Sequence, residues 1–229
     1  MTYVVSNIHG CFKKFKKLIK DISLKDTDTL YVLGDILDYG DEPIELLCDL
    51  SMRYNVIPIV GEHDLTSLRM LTELDKMLSG SSPDPDIIGE MTAWIQDGGS
   101  NTMEGFKKLD ADMREGVLDY LADMSLYEEL EIKGKKYLLV HAGIADFDPA
   151  TPLEDYCPED FITEPLDKDR TYYDNVTVIV GHTPTYSIDG AEKGKIYKTD
   201  GAIFIDCGAA FDEPLGCLRL EDGKEFYVS

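Results

Sequence analysis

Leu33-Gly34-Asp35-Ile36-Leu37-Asp38-Tyr39-Gly40 (LGDILDYG) ends the apolar run Leu30–Leu33 and opens onto Asp41-Glu42-Pro43, a helix start. Asp35 and Asp38, bracketed by glycines and fed by a strand, sit where open α/β sheets place their chemistry, beyond the carboxyl ends of the strands. In isolation the pair reads equally as an Asx-turn with a helix cap. Its neighbours decide the reading, because four more apolar runs end the same way.

Upstream, Thr2–Ser6 ends at Asn7-Ile8-His9-Gly10 and is followed by an amphipathic, lysine-rich segment. Downstream, Val56–Val60 ends at Gly61-Glu62-His63-Asp64, before a helix with Leu68, Leu71, Leu74 and Leu78 on one face. Three βα units in succession predict a parallel sheet with right-handed crossovers. Ser79–Asp86 (SGSSPDPD) is loop-like, and the segment from there to about Leu126 reads as a mainly helical excursion broken at Gly98-Gly99. After Gly134 strands return. Lys136–Val140 ends at His141-Ala142-Gly143 and Val176–Val180 at Gly181-His182-Thr183-Pro184; Ala202–Asp206, Leu215–Leu220 and Glu225–Val228 follow without helices, predicting a more antiparallel second half.

The chain has only four histidines, and His9, His63, His141 and His182 each lie just past a predicted strand. Strand ends of one sheet converge, so these four, with Asp35, Asp38 and Glu62, are expected in one crevice. A mixed imidazole and carboxylate set suits Zn, Mn, Fe or similar divalent ions, and the lack of motif cysteines disfavours a structural zinc site. Two ions about 3.5–4 Å apart sharing the Asp35 carboxylate would clamp a phosphoryl oxygen and activate a bridging water.

Composition narrows the partners. At 229 residues and 43% hydrophobic the chain is long enough for one sizeable core, so residues 1–229 are expected to form a single domain. A net charge of -23 argues against nucleic acid, whose phosphates need a basic surface. No apolar run approaches the ~18 residues of a membrane span, and Met1 leads straight into a strand without a signal segment, so a cytoplasmic protein is expected. The five cysteines read as reduced, mostly buried thiols. Lys13, Lys14, Lys16, Lys17 and Lys20 alternate with apolar residues as in a helix packing on the sheet with its lysines in water; a membrane-surface or calmodulin-target helix is the alternative.

The five motifs together resemble the calcineurin-like metallophosphoesterases, in particular the branch of phosphoprotein phosphatases and symmetrical diadenosine tetraphosphatases. The family order D-x-H, G-D-x-x-D-R-G, G-N-H-D/E, H-A-G and G-H-T-P is met by Asn7-Ile8-His9, GDILDYG, GEHD, HAG and GHTP. Weaker matches are Gly98-Gly99-x-x-Thr102 and Ile205-Asp206-Cys207-Gly208. The resemblance implies an α/β fold, a mixed β-sheet sandwich flanked by helices in four layers (α/β/β/α). It implies a first metal on Asn7, His9 and Asp35 and a second on Asp35, Glu62, His141 and His182. His63 would protonate the leaving oxygen, and Asp38 would orient its imidazole. The implied activity is hydrolysis of phosphomonoesters, on a phosphorylated protein or a small molecule, by a metal-activated hydroxide.

Three departures qualify that expectation. Asn7 stands where the family has aspartate and Glu62 where it has asparagine, so anionic charge moves toward the second metal and the first site is expected to be the weaker of up to two. Tyr39 replaces the arginine that grips phosphate, exchanging a charged fork for one neutral donor. A second phosphate arginine has no counterpart near Phe161-Ile162-Thr163-Glu164, with Arg69 and Arg170 as stand-ins. These losses favour a compact phosphomonoester over a polyphosphate, and they make a catalytically weakened or inactive metal- and phospholigand-binding protein the alternative reading.

Overall fold

The computed structural model describes residues 1–229. Three βα units open the chain: β1 (Thr2–Val5) leads to α1 (Phe12–Ile22), β2 (Thr29–Leu33) to α2 (Pro43–Ser51) and β3 (Val56–Ile59) to α3 (Glu62–Leu78). The three strands are parallel neighbours, with Thr2 opposite Thr29 and Leu30 opposite Val56. Helix α1 turns Phe15, Leu18 and Ile22 inward and leaves Lys13, Lys16, Lys17 and Lys20 in water, as a helix packed on a sheet requires. Along α3 the buried residues are Asp64, Ser67, Met70, Leu71 and Leu74, whereas Leu78 is exposed. The leucine face expected there is thus rotated toward two polar side chains that serve the site.

Helices α4 (Pro85–Trp94), α5 (Ser100–Phe106) and α6 (Ala111–Ala122) follow. The chain kinks between α4 and α5 at Asp97 and Gly98, the latter at φ 95°. Strands return earlier than expected. Tyr127–Ile132 forms β4, paired antiparallel with β5 (Lys135–Val140) across Lys133 and Gly134, both at positive φ as a two-residue primed turn demands. As the acidic edge of its sheet, β4 lacks the apolar run by which the other strands are recognised.

The second half is the more antiparallel, as expected: Leu215–Arg219 pairs antiparallel with β1 and with Glu225–Val228, although the second sheet has a parallel centre. Strand β6 (Val176–Val180) runs parallel to β5, and β8 (Ala202–Phe204) parallel to β6. In this sheet only β4 and the two-residue β7 (Tyr197–Lys198) are antiparallel, at the two edges. A parallel neighbour needs a crossover, but the one from β5 to β6 is an irregular segment rather than a helix, so helix counting misses it. Strands β9 (Leu215–Arg219) and β10 (Glu225–Val228) return to the first sheet, giving the orders β10-β9-β1-β2-β3 and β4-β5-β6-β8-β7.

Two mixed sheets flanked by helices result. Alternation along each strand divides its side chains between two cores. Val4, Leu33, Ile59, Leu139, Ile179 and Leu218 meet in the cluster between the sheets. Val5, Val32, Leu138 and Val178 belong to the larger cluster that holds Phe15, Leu47 and Leu71 of the helices. Placing the sheets face to face brings the carboxyl ends of β1, β2 and β3 against those of β5 and β6. No helix is long and apolar enough to cross a membrane. All five cysteines are unpaired; Cys207 and Cys217 are buried and Cys157 is exposed.

Candidate active site

The strand ends meet at the seam between two sheets, not along one sheet edge as expected from the βα pattern. Asn7 and His9 follow β1, Asp35 to Tyr39 follow β2, and Glu62 and His63 form the first turn of α3; His141 and His182 arrive from β5 and β6 of the other sheet. Six of these residues, Asn7, His9, Asp35, Asp38, Tyr39 and His182, have positive φ between 46° and 68°. Such backbone is uncommon outside glycine and concentrates where surrounding structure holds strain for a purpose. The flanking glycines permit close approach: a Cβ on Gly34 would lie 2.6 Å from His141 Nδ1, and one on Gly181 would fall 2.4 Å from Asn7 Oδ1. Asp64 pins the LGDILDYG turn, accepting the N–H groups of Ile36, Leu37 and Gly61.

Asp35, 3% exposed, is the hub. His141 Nδ1 lies 2.8 Å from the carbonyl of Leu33, and His9 Nδ1 2.9 Å from that of Leu37. A carbonyl only accepts, so both Nδ1 atoms carry the proton and both Nε2 atoms present a lone pair. Those lone pairs face the two oxygens of one carboxylate: His141 Nε2 is 3.5 Å from Oδ1 and His9 Nε2 is 3.6 Å from Oδ2. The buried Nε2 of His141 has no hydrogen-bond partner. Acceptors turned on one another in a dry site call for a cation, and an imidazole–carboxylate set fits a divalent transition metal. One ligand atom each from Asp35, His141 and His182 falls within 4.8 Å of the others, and Glu62 Oε2 lies 3.9 Å from His182 Nδ1.

The charges follow the same geometry. Burial alone would raise the Asp35 carboxyl, but His141, His9 and His63 outweigh it and hold the group down to about 2. Burial depresses both His9 and His182, favouring neutral rings able to ligate. Glu62 is raised, by burial first and then by Asp35, as expected where two carboxylates share a site.

Asn7, expected as a ligand, turns its nitrogen and not its oxygen to the hub. Its Oδ1 accepts the backbone N–H of His182 at 2.9 Å and the hydroxyl of Ser6. Because a backbone N–H can only donate, the amide orientation is fixed, and Nδ2 donates to Asp35 Oδ2 at 2.9 Å. That oxygen, the one His9 faces, is therefore already capped by a hydrogen, as Oδ1 is by the backbone N–H of His63 at 3.0 Å.

Beside the hub, His63 Nδ1 donates to Asp38 Oδ2 at 2.9 Å. Asp38 is fully buried and accepts three more donors: Trp94 Nε1 at 3.0 Å, Thr102 Oγ1 at 2.7 Å and Ser67 Oγ at 3.2 Å. Burial pulls His63 down, but the hydrogen bond to Asp38 and the charges of Asp35, Asp38 and Asp97 carry it up to about 9. Thr102, part of one of the weaker motif matches, is wholly buried against Asp38. Ser67 and Trp94 were missed. The signal for Trp94 was its being the only tryptophan, shortly before Gly98-Gly99.

The walls differ on the two sides. A cavity of about 440 Å³ opens beside Glu62 and His63, with Arg69, Glu90, Trp94 and Asp97 in its lining. Arg69 is its one arginine or lysine and pairs with Glu90 at 2.6 Å. Arg170 lines a different cavity, donating to the carbonyl of Phe147. Phe161 and Ile162 are core residues. Tyr39, expected as a substrate contact, donates its hydroxyl to Asp97 at 2.7 Å, and its ring stands edge-on to His9 and His63, each 5.0 Å away.

Residues 2–208 match the profile of the calcineurin-like phosphoesterases. The chain belongs to that family. Among its relatives, the symmetrical bis(5′-nucleosyl)-tetraphosphatase of Haemophilus influenzae (strain PittGG) is 30% identical over 275 aligned positions, covering 99% of this chain and 96% of that protein. The enzyme of the same name from Pseudomonas fluorescens (strain SBW25) is 27% identical over 147 residues, 62% of this chain; the chain spans less than half of that relative, 43% of its length. Among solved structures, a protein serine/threonine phosphatase from Saccharomyces cerevisiae superposes with a TM-score of 0.61 at 12% identity, covering all of this phosphoesterase chain and 79% of the yeast one. That likeness is one of fold.

Proposed function

We propose that this chain is a metal-dependent phosphoesterase that hydrolyses phosphomonoesters, with Asp35, Glu62, His141 and His182 holding the stronger divalent ion and His9 with Asp35 a weaker one. The observation that carries the reading is the pair of imidazole lone pairs, His9 Nε2 and His141 Nε2, turned on opposite oxygens of the buried Asp35 carboxylate. A divalent ion held there, Mn, Fe or Zn by the donor set, supplies positive charge that draws in the phosphoryl oxygens and acidifies the attacking water. His63 is the general acid. Its Nδ1 is committed to Asp38, so the other ring nitrogen is left to deliver a proton to the leaving oxygen, and its raised pKa keeps that proton in place at neutral pH. Asn7 orients Asp35 by hydrogen bond rather than ligating, so the site around Oδ2 has only His9 beside Asp35 and is the weaker one.

The acidic cleft supports a compact substrate. Its lining offers Arg69, already paired with Glu90, against Glu62 and Asp97, a poor host for the four-phosphate chain that the names of the bacterial relatives imply. A phosphorylated protein or a small phosphomonoester fits better. Residues 1–229 act as one domain, in which the 79–126 segment supplies Trp94, Asp97 and Thr102 to the site. Five unpaired thiols support a reducing, cytoplasmic setting. The other reading, a non-catalytic metal- and phospholigand-binding descendant, draws on the amide hydrogen capping Asp35 Oδ2.

Hydrolysis of p-nitrophenyl phosphate and of an alkyl phosphate by metal-stripped protein titrated with Mn decides between them. Turnover that appears with metal, and that His63→Ala lowers by about 10²- to 10⁴-fold for the alkyl ester but far less for the aryl ester with its better leaving group, establishes the enzyme. An inert parent at saturating metal that Asn7→Asp does not awaken establishes the binding protein.

A further inference from the structure

Tyr39 belongs to a larger assembly of rings. Its centroid lies 5.2 Å from that of Phe211, and Phe211 lies 6.3 Å from His9, so Phe211, Tyr39, His9 and His63 form one continuous aromatic wall. Phe211 stands at the open end, 42% exposed. Exposed apolar residues are ordinary on a protein surface, but this one is held in place. Its loop is clamped from both sides by a single cation, Lys14 Nζ, which donates to the carbonyls of Ala209 at 2.9 Å and Glu213 at 2.7 Å. Phe211 N–H closes onto Gly208, and the next residue, Asp212, is at φ 63°. A neighbouring cavity of about 360 Å³ has Lys14, Tyr39, Ala209 and Ala210 in its lining.

The wall begins at His63, the proposed donor to the leaving oxygen. His63 delivers its proton to the oxygen joining phosphorus to the organic group, and Tyr39 and Phe211 extend outward from His63. Tyr39 has its hydroxyl spent on Asp97, so what it presents is ring surface. Rings mutually tilted by 62° leave Phe211 free to accept a further ring, offset-stacked or edge-on. We infer that Tyr39 and Phe211 select phosphoesters whose organic group carries a planar aromatic ring close to the phosphorus. The inference rests on the phosphoesterase reading for its direction, and it explains how a site without arginine on this side gains affinity: by ring contact with the ester group in place of charge on the phosphate.

The test is binding, which stays readable if turnover fails. On the Mn-loaded protein, calorimetric titration compares benzylphosphonate with cyclohexylmethylphosphonate, which share charge and bulk and differ in the flat π-system. Benzylphosphonate is expected to bind about threefold to tenfold more tightly, the ratio falling to near one in Phe211→Ala, dropping in Lys14→Met as the loop loosens, and persisting in Phe211→Trp. Equal affinities in the parent, no binding of either compound, or a ratio that Phe211→Ala leaves unchanged overturns the inference. None of these outcomes depends on hydrolysis, so the fate of the phosphoesterase reading is decided separately by p-nitrophenyl phosphate. Phosphonate analogues of phosphotyrosine and of adenosine 5′-monophosphate then tell a tyrosyl ring from a nucleobase, the tighter of the two naming the source.

Discussion

Asn7 offers Asp35 a hydrogen where a metal ligand would offer an electron pair: Nδ2 lies 2.9 Å from Oδ2, while the amide oxygen is held by the N–H of His182. Replacing it with aspartate reverses the sign of that contact. In metal-free protein Asn7→Asp sets two carboxylates against each other and is expected to lower the melting temperature. With Mn present the added charge becomes a ligand, and calorimetry should show the weaker ion binding at least about tenfold more tightly. A variant indistinguishable from the parent in both states would remove Asn7 from the account of metal loading.

The His63 imidazole, raised to about 9 by Asp38 and its acidic neighbours against the pull of burial, is expected to titrate near that value by NMR in metal-free protein. Asp38→Asn should bring the midpoint back toward about 6.5. The sign for stability follows. A histidine whose folded pKa exceeds its unfolded one contributes fully below about 6.5 and loses that contribution as pH rises through about 9. The parent should therefore lose unfolding free energy across that window and Asp38→Asn should not. A bound divalent cation nearby lowers the midpoint, so metal loading is a second readout of the same group.

Trp94 shares one acceptor with His63, Asp38 Oδ2. Trp94→Phe keeps the ring bulk over Gly99 and deletes one charge-assisted donor, an expected loss of about 1.5–3 kcal/mol in denaturant unfolding. As the only tryptophan, it also makes intrinsic fluorescence a local reporter, and Mn binding should quench emission in the parent. Unchanged emission on loading would place the ion away from this wall.

How far the sequence carried the reading depends on the residue. His9, Asp35, His63, His141 and His182 were legible because each breaks an apolar strand abruptly with a polar side chain. The separation into two sheets came from the family resemblance alone, since no local pattern tells β5 and β6 that they pair with each other rather than with β1 to β3. Strand β4 was hidden by its glutamates, and Ser67 and Trp94 by helices whose periodicity concerns packing. The orientation of Asn7 was out of reach, because a backbone N–H from the far sheet sets it.

Asp206, buried behind the hub, is pushed up to about 7 by burial. An acid whose folded pKa exceeds its unfolded value near 4 costs stability as pH climbs between the two. Asp206→Asn retains an acceptor for the N–H of Gly208 and cannot ionise. Metal-free Asp206→Asn is expected to gain on the parent between pH 4 and pH 8 in denaturant unfolding; a constant difference across that range would show that the carboxyl does not titrate there.

The hydrogen bond from His182 N–H to Asn7 Oδ1 spans 175 residues of chain. Read as a sequence of events, this means that a growing polypeptide can lay down β1, β2 and β3 and still own only half a site. Asp35 and His9 wait, without a fixed amide beside them, until residue 182 has been made and the second sheet has closed. A chain cut short before β6 carries most of the motifs but lacks both the N–H that fixes Asn7 and the His182 of the proposed ion site.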